Sequence, residues 1–169
     1  DRAREYDRTS IIINDRPDIA LLSDADGVHL GQHDLGVAEA RRIIGHDRII
    51  GVSTATMEQA HRAVHDGADY IGIGPVFPSS TKEKPDLAGL AFIRACAGDD
   101  GPAGRIPHLA ISGINAGNID EVVRAGARGV AVSSAICSAR DPQQVIERLL
   151  KALAPTTPMT AVPYAASDQ

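Results

Sequence analysis

The stretch Ser10-Ile11-Ile12-Ile13-Asn14-Asp15 decides how this chain is read. Three branched apolar residues run straight into an amide and a carboxylate. That is the pattern of a buried parallel strand whose C-terminal end opens into a polar site. A second short apolar segment, Gly27-Val28-His29-Leu30-Gly31-Gln32-His33-Asp34, repeats it and ends on another carboxylate. Carboxylates at the ends of neighbouring parallel strands suit one hard divalent cation. Mg²⁺ commonly takes one or two of them and fills its other positions with water and phosphate oxygens. Asp15 and Asp34 also suit ordinary helix starts, since each precedes a helical stretch.

Outward from these segments the pattern alternates. Strands are expected at 10–14, 27–31, 48–53, 70–76, 108–112 and 129–133. Helices are expected from Pro17, then over 36–45, 56–66, 87–97 and 117–125. A last helix is capped by Asp141, with Pro142 at its first position. Its apolar stripe is Val145, Ile146, Leu149, Leu150 and Leu153. Residues 98–104 read as a Gly- and Asp-rich turn. Ala25-Asp26-Gly27-Val28, Gly67-Ala68-Asp69-Tyr70-Ile71 and Gly126-Ala127-Arg128-Gly129-Val130 look like one device used three times to end a helix and start a strand. Six strand–helix repeats imply right-handed βαβ units and a parallel sheet, where a closed barrel needs eight. The domain is placed at 1–154. The Pro-, Thr- and Ala-rich stretch 155–169 is expected to be a disordered tail.

Composition narrows the function. The chain has 169 residues, 43% hydrophobic, with only 3% aromatic, so its core must be built from Ile, Val, Leu and Ala. A net charge of −5 without a basic stripe argues against nucleic acid. No apolar run approaches the roughly 18 residues that a membrane span needs. Cys96 and Cys137 form neither a metal spacing nor a disulfide framework, which suits a reducing cytoplasm. Cys137, in an apolar segment, is expected to be a small core residue.

In such sheets the chemistry lies at the C-terminal strand ends. Those ends carry Asn14 and Asp15, Gln32 and Asp34, Ser53, Gly74, Ser112-Gly113 and Ser133-Ser134. Backbone N–H groups at Gly113 and around Ser133-Ser134 can cradle a phosphate beside the following helix start. The same glycines also permit plain tight turns. The loop Pro78-Ser79-Ser80-Thr81-Lys82-Glu83-Lys84 can clamp a phosphate or serve as a solvated surface. His29 lies along a buried strand and is expected to be a structural hydrogen-bonding residue. The remaining histidines show no ligand spacing.

These residues resemble the thiamine-phosphate synthase family. The likeness rests on Ile12-Ile13-Asn14-Asp15, the 27–34 segment, Gly51-Val52-Ser53, Gly72-Ile73-Gly74-Pro75-Val76-Phe77-Pro78, Ser79-Ser80-Thr81-Lys82, Ile111-Ser112-Gly113-Ile114 and Val132-Ser133-Ser134-Ala135-Ile136. It covers about residues 10–150 in order. The resemblance implies a (β/α)8 barrel that joins a hydroxymethylpyrimidine diphosphate to a thiazole phosphate and releases pyrophosphate. By resemblance, Asp15 and Asp34 hold Mg²⁺, while Asn14, Ser53 and Lys82 contact the pyrimidine diphosphate. Ser79, Ser80, Thr81, Gly113, Ser133 and Ser134 form the thiazole phosphate site. Ser53 and Lys82 stand closest to the chemistry. The family expects Thr where Ser79 stands and Gly where Ser112 stands.

Two strands that the family places ahead of the first one have no counterpart here, and with them go its Gln, Arg and Lys contacts. The expectation is a C-terminal portion of a longer polypeptide, or a chain completed by a complementing segment or a second copy. A thiazole tautomerase-like or regulatory relative, or a non-catalytic phosphate-ligand binder, is the alternative reading.

Overall fold

The computed structural model describes residues 9–79 and 86–154. The expected tail at 155–169 and the charged opening at 1–8 lie outside them. The elements are β1 (Ile12–Asn14), α1 (Pro17–Leu22), β2 (Gly27–Leu30), α2 (Val37–Ile44), β3 (Ile49–Thr54), α3 (Met57–His65), β4 (Tyr70–Ile73), α4 (Gly89–Ala97), α5 (Pro102–Arg105), β5 (His108–Ile111), α6 (Ile119–Arg124), β6 (Val130–Ala131), α7 (Ser134–Cys137) and α8 (Pro142–Leu153).

The six strands form one parallel sheet in chain order, β1 to β6. Each unit therefore advances in the same direction, as in a curled part of a (β/α) barrel. Among the described residues β1 and β6 are its two edges.

Strand alternation divides the sheet into two unlike faces. Val28, Leu30, Ile50, Ile71, Ile73 and Ala110 are at most 1% exposed and pack under the helices, against Ala40, Ile44, Ala60, Ile93, Ile119 and Val122. The opposite, concave face follows from the register: Asn14 pairs with His29, His29 with Gly51, Gly51 with Tyr70, and Ser53 with Gly72. On it Asn14 is exposed, His29, Ser53 and Tyr70 are half-buried and Gly51 and Gly72 are buried, while Ile111 is 39% exposed.

The repeated motif before the strands has a physical basis. Asp26, one residue before β2, accepts a hydrogen bond from the Ile11 N–H (2.6 Å). Asp69, one residue before β4, accepts one from the Ile50 N–H (2.7 Å) and pairs with Arg41 (2.8 Å). Each carboxylate thus ties its strand to the one before it. The third copy has Arg128 at this place and makes no such tie. Asp141 caps α8 by accepting from Gln144 N–H (3.0 Å), as expected.

The structure corrects several expectations. The turn at 98–104 contains α5, whose Ala103 is fully buried and whose first turn is held by Asp99 accepting from the N–H groups of Ala103 and Gly104. The last strand runs into α7, a single turn with no buried residue. Cys137 ends that turn and is exposed, so Cys96 alone is a core cysteine. Burial pushes the Cys96 thiol up to about 11. The strand expected at 70–76 ends at Ile73, although Val76 and Phe77 N–H groups still reach the carbonyls of Ile111 (3.0 Å) and Ser112 (3.1 Å). In α8 only Leu149 of the stripe is buried, while Ile146 and Leu150 are exposed. Among the described residues no helix is long and apolar enough to cross a membrane.

Candidate active site

Every described residue expected at the site lies at or just beyond a C-terminal strand end. Asn14 closes β1 and Asp15 follows it. Ser53 is next to last in β3, and Asp34 lies in the loop after β2. Ser79 is in the segment after β4, Gly113 follows β5, and Ser133 and Ser134 follow β6. Ser80, Thr81 and Lys82 fall outside the described residues.

His29 is the hub of the first cluster. Its backbone pairs with Asn14 in the ladder, and its carbonyl accepts the Asp15 N–H at 2.8 Å. Its Nε2 is 2.9 Å from Ser53 Oγ, and its Nδ1 is 2.9 Å from the Tyr70 hydroxyl. Asp34 is close enough to act on the ring electrostatically. Burial nevertheless dominates and holds the imidazole below its ordinary range, in its neutral form. Ser53 thus meets the His29 side chain, Asp34 acts on its ring, and Asn14 and Asp15 are held to its backbone.

The backbone at these positions is specialised. Asp15 has φ 63°, a left-handed conformation that costs a non-glycine residue energy and that clusters at functional sites. Asp34 folds back so that Oδ2 accepts the Gly31 N–H at 2.6 Å. Gln32 donates from Nε2 to the Ser53 carbonyl (2.7 Å), and its Oε1 accepts from Arg62 (2.8 Å). The main chain at Ser53 is therefore pinned from the neighbouring loop and from α3.

The second cluster joins the segments after β4 and β5. Ser112 and Gly113 are both left-handed, at φ 85° and 67°. A Cβ on Gly113 would lie 2.4 Å from the Pro78 carbonyl oxygen and 2.7 Å from Phe77 Cβ, so only glycine lets the two segments meet. Asn115 and Asn118 both donate to the Gly113 carbonyl, at 3.2 and 2.9 Å, and fix that peptide's orientation. Ile111 pairs with Ala131, so Gly113 and Ser133 each lie two residues beyond a matched pair. Ser133 and Ser134 are exposed there.

Two carboxylates at adjacent strand ends are hard oxygen donors, and both side chains belong to exposed residues. That donor set fits Mg²⁺ completed by water and phosphate. Among the described residues no group of three or more His, Cys, Asp or Glu gathers as a metal site.

Sequence reasoning placed Gln32 at a strand end but missed Tyr70, the Arg62 that braces Gln32, and the Asn115/Asn118 pair as parts of the site. The first two are contacts across the fold with no local mark. Asn115-Ala116-Gly117-Asn118 did carry a turn signal.

The comparisons point one way. The family model described as "Thiamine monophosphate synthase" matches residues 2–136. A thiamine-phosphate synthase of Synechococcus sp. strain WH7803 is 49% identical over 143 residues, which are 84% of this chain and 39% of that protein. A thiamine-phosphate synthase of Methanocella arvoryzae is 50% identical over 133 residues, 78% of this chain and 61% of that one. The solved thiamine phosphate pyrophosphorylase from Pyrococcus furiosus superposes with TM-score 0.76 at 39% identity, covering 89% of this chain and 70% of its own. The chain spans less than half the length of the Synechococcus relative.

Proposed function

Because the chain belongs to the thiamine monophosphate synthase family, we propose that it forms thiamine phosphate from a hydroxymethylpyrimidine diphosphate and a thiazole phosphate, releasing pyrophosphate. The observation that supports this reading is that His29 links the ends of the first three strands: its backbone holds Asn14 and Asp15, and its ring meets Ser53 and feels Asp34.

In this reading Asp15 and Asp34 hold Mg²⁺. Bound there, the ion supplies positive charge for the departing diphosphate oxygens. Asn14 and Ser53 fix the pyrimidine diphosphate, and Lys82 adds a cationic partner for the leaving group. The bond between the pyrimidine methylene carbon and the diphosphate oxygen breaks, and its electron pair leaves with pyrophosphate. The electron-rich pyrimidine spreads the positive charge left behind. The thiazole nitrogen then forms the new C–N bond, its ring held through the phosphate by Ser79, Ser80, Thr81, Gly113, Ser133 and Ser134. No side-chain nucleophile is needed. A cytoplasmic setting suits the two unpaired thiols, Cys96 and Cys137.

The experiment incubates the chain with both substrates and Mg²⁺ and follows both products. Equal amounts of thiamine phosphate and pyrophosphate are expected. Binding of thiazole phosphate with no product would replace the synthase reading by that of a phosphate-ligand binder.

A further inference from the structure

We infer that Tyr70 and His29 are positioning residues that set the proton order at Ser53, so that its hydroxyl is presented as a hydrogen-bond donor to the pyrimidine diphosphate. This rests on the assignment of Ser53 to that substrate.

The three groups form a line across β4, β2 and β3. The Tyr70 hydroxyl lies 2.9 Å from His29 Nδ1, and His29 Nε2 lies 2.9 Å from Ser53 Oγ. The Tyr70 and His29 rings lie 5.5 Å apart between centroids, tilted by 31°. A neutral imidazole has one N–H and one bare nitrogen, so the line has two possible proton orders. In one, Tyr70 donates to Nδ1, Nε2–H donates to Ser53 Oγ, and the serine proton is left for a ligand. In the other, Ser53 donates to Nε2 and Nδ1–H donates to the phenol oxygen, which leaves the phenol proton without an acceptor.

The surroundings choose the first. Among the described residues the Tyr70 hydroxyl has no hydrogen-bond partner except His29, and it is part-buried. Leaving that donor unpaired forgoes the net worth of its hydrogen bond, about 0.5–1.5 kcal/mol. Phenol is also the stronger acid of the two hydroxyls and hence the better donor. Ser53 sits on the partly open concave face, where its proton can meet a ligand.

Space has been made for this line. A Cβ at Gly51 would lie 2.1 Å from the Tyr70 ring, and one at Gly72 would lie 3.3 Å from His29 Cε1. With its carbonyl held by Gln32, Ser53 keeps its hydroxyl on a fixed base.

Two measurements on the full chain test the inference. Nitrogen-15 NMR of histidine-labelled, ligand-free protein reads the His29 tautomer, with the signal identified by its loss in His29→Gln. The expected result is protonated Nε2 and bare Nδ1, with the Nδ1 resonance displaced in Tyr70→Phe. A protonated Nδ1 overturns the inference. Calorimetric affinity for the pyrimidine diphosphate is then measured in the wild type, Tyr70→Phe, Ser53→Ala and the double variant. Tyr70→Phe should weaken binding about 3- to 10-fold, the worth of one hydrogen bond, and this effect should vanish when Ser53 is already Ala. Equal losses in both backgrounds would show that Tyr70 acts only on the fold and would overturn the inference. Normal tautomer and coupling without turnover would contradict the synthase reading alone. The wrong tautomer with normal turnover would contradict the proton order alone.

Discussion

Ser112 and Phe77 hold each other twice: Ser112 Oγ donates to the Phe77 carbonyl at 2.9 Å, and Phe77 N–H donates to the Ser112 carbonyl at 3.1 Å. The φ of 85° at Ser112 is a left-handed conformation that favours glycine. The side chain offsets part of the backbone cost by stitching the segment after β4 to the end of β5. Ser112→Ala keeps the strain and loses the bond, so urea denaturation should show a loss of about 0.5–1.5 kcal/mol. Ser112→Gly loses the bond but relieves roughly 1 kcal/mol of strain, and should be close to neutral. Equal losses in the two variants would contradict this balance.

Gly113→Ala should be worse than either. The new methyl meets both the left-handed backbone and the Pro78 carbonyl oxygen at 2.4 Å. A cost of roughly 1–3 kcal/mol is expected, together with weaker binding of thiazole phosphate, measured by calorimetry. Unchanged affinity would detach Gly113 from the phosphate site.

His108 should make stability fall with acidity. It begins β5, is 8% exposed, and its Nε2 is buried without a hydrogen-bond partner among the described residues. Burial pushes its imidazole below the ordinary histidine range, and Arg128 adds to this. Its contribution is therefore complete above the unfolded value of about 6.5 and is lost as pH falls below it, because the unfolded chain takes the proton first. Thermal melts between pH 8 and 5 should show a steeper acid decline in the wild type than in His108→Gln. Parallel curves would contradict this.

Much of the fold could be read from local pattern. Ile11 to Ile13, Val28 and Leu30, and Ile49 to Val52 are short apolar stretches that suit a helix-covered sheet, and the cap at Asp141 appears where expected. Short elements escaped, because α5 and α7 have only four residues each and show no helical period. Cys137 was misplaced for the same reason: an apolar neighbourhood in sequence does not bury a residue on a single exposed turn. The polar strand ends located Asn14, Asp15, Asp34 and Ser53. What they did not show is that His29 meets Tyr70 from 41 positions away and Ser53 from 24, contacts set by strand register.

The most direct test of the account is a magnesium titration of thiamine phosphate formation in the wild type, Asp15→Asn and Asp34→Asn. Each variant's fold is checked by its melting temperature. The wild type should need the ion for turnover. Each asparagine variant should stay folded, lose turnover by at least about 100-fold, the scale of losing an electrostatic catalytic group, and demand more magnesium. Full turnover at unchanged magnesium dependence in the folded double variant would contradict the assignment of these two carboxylates.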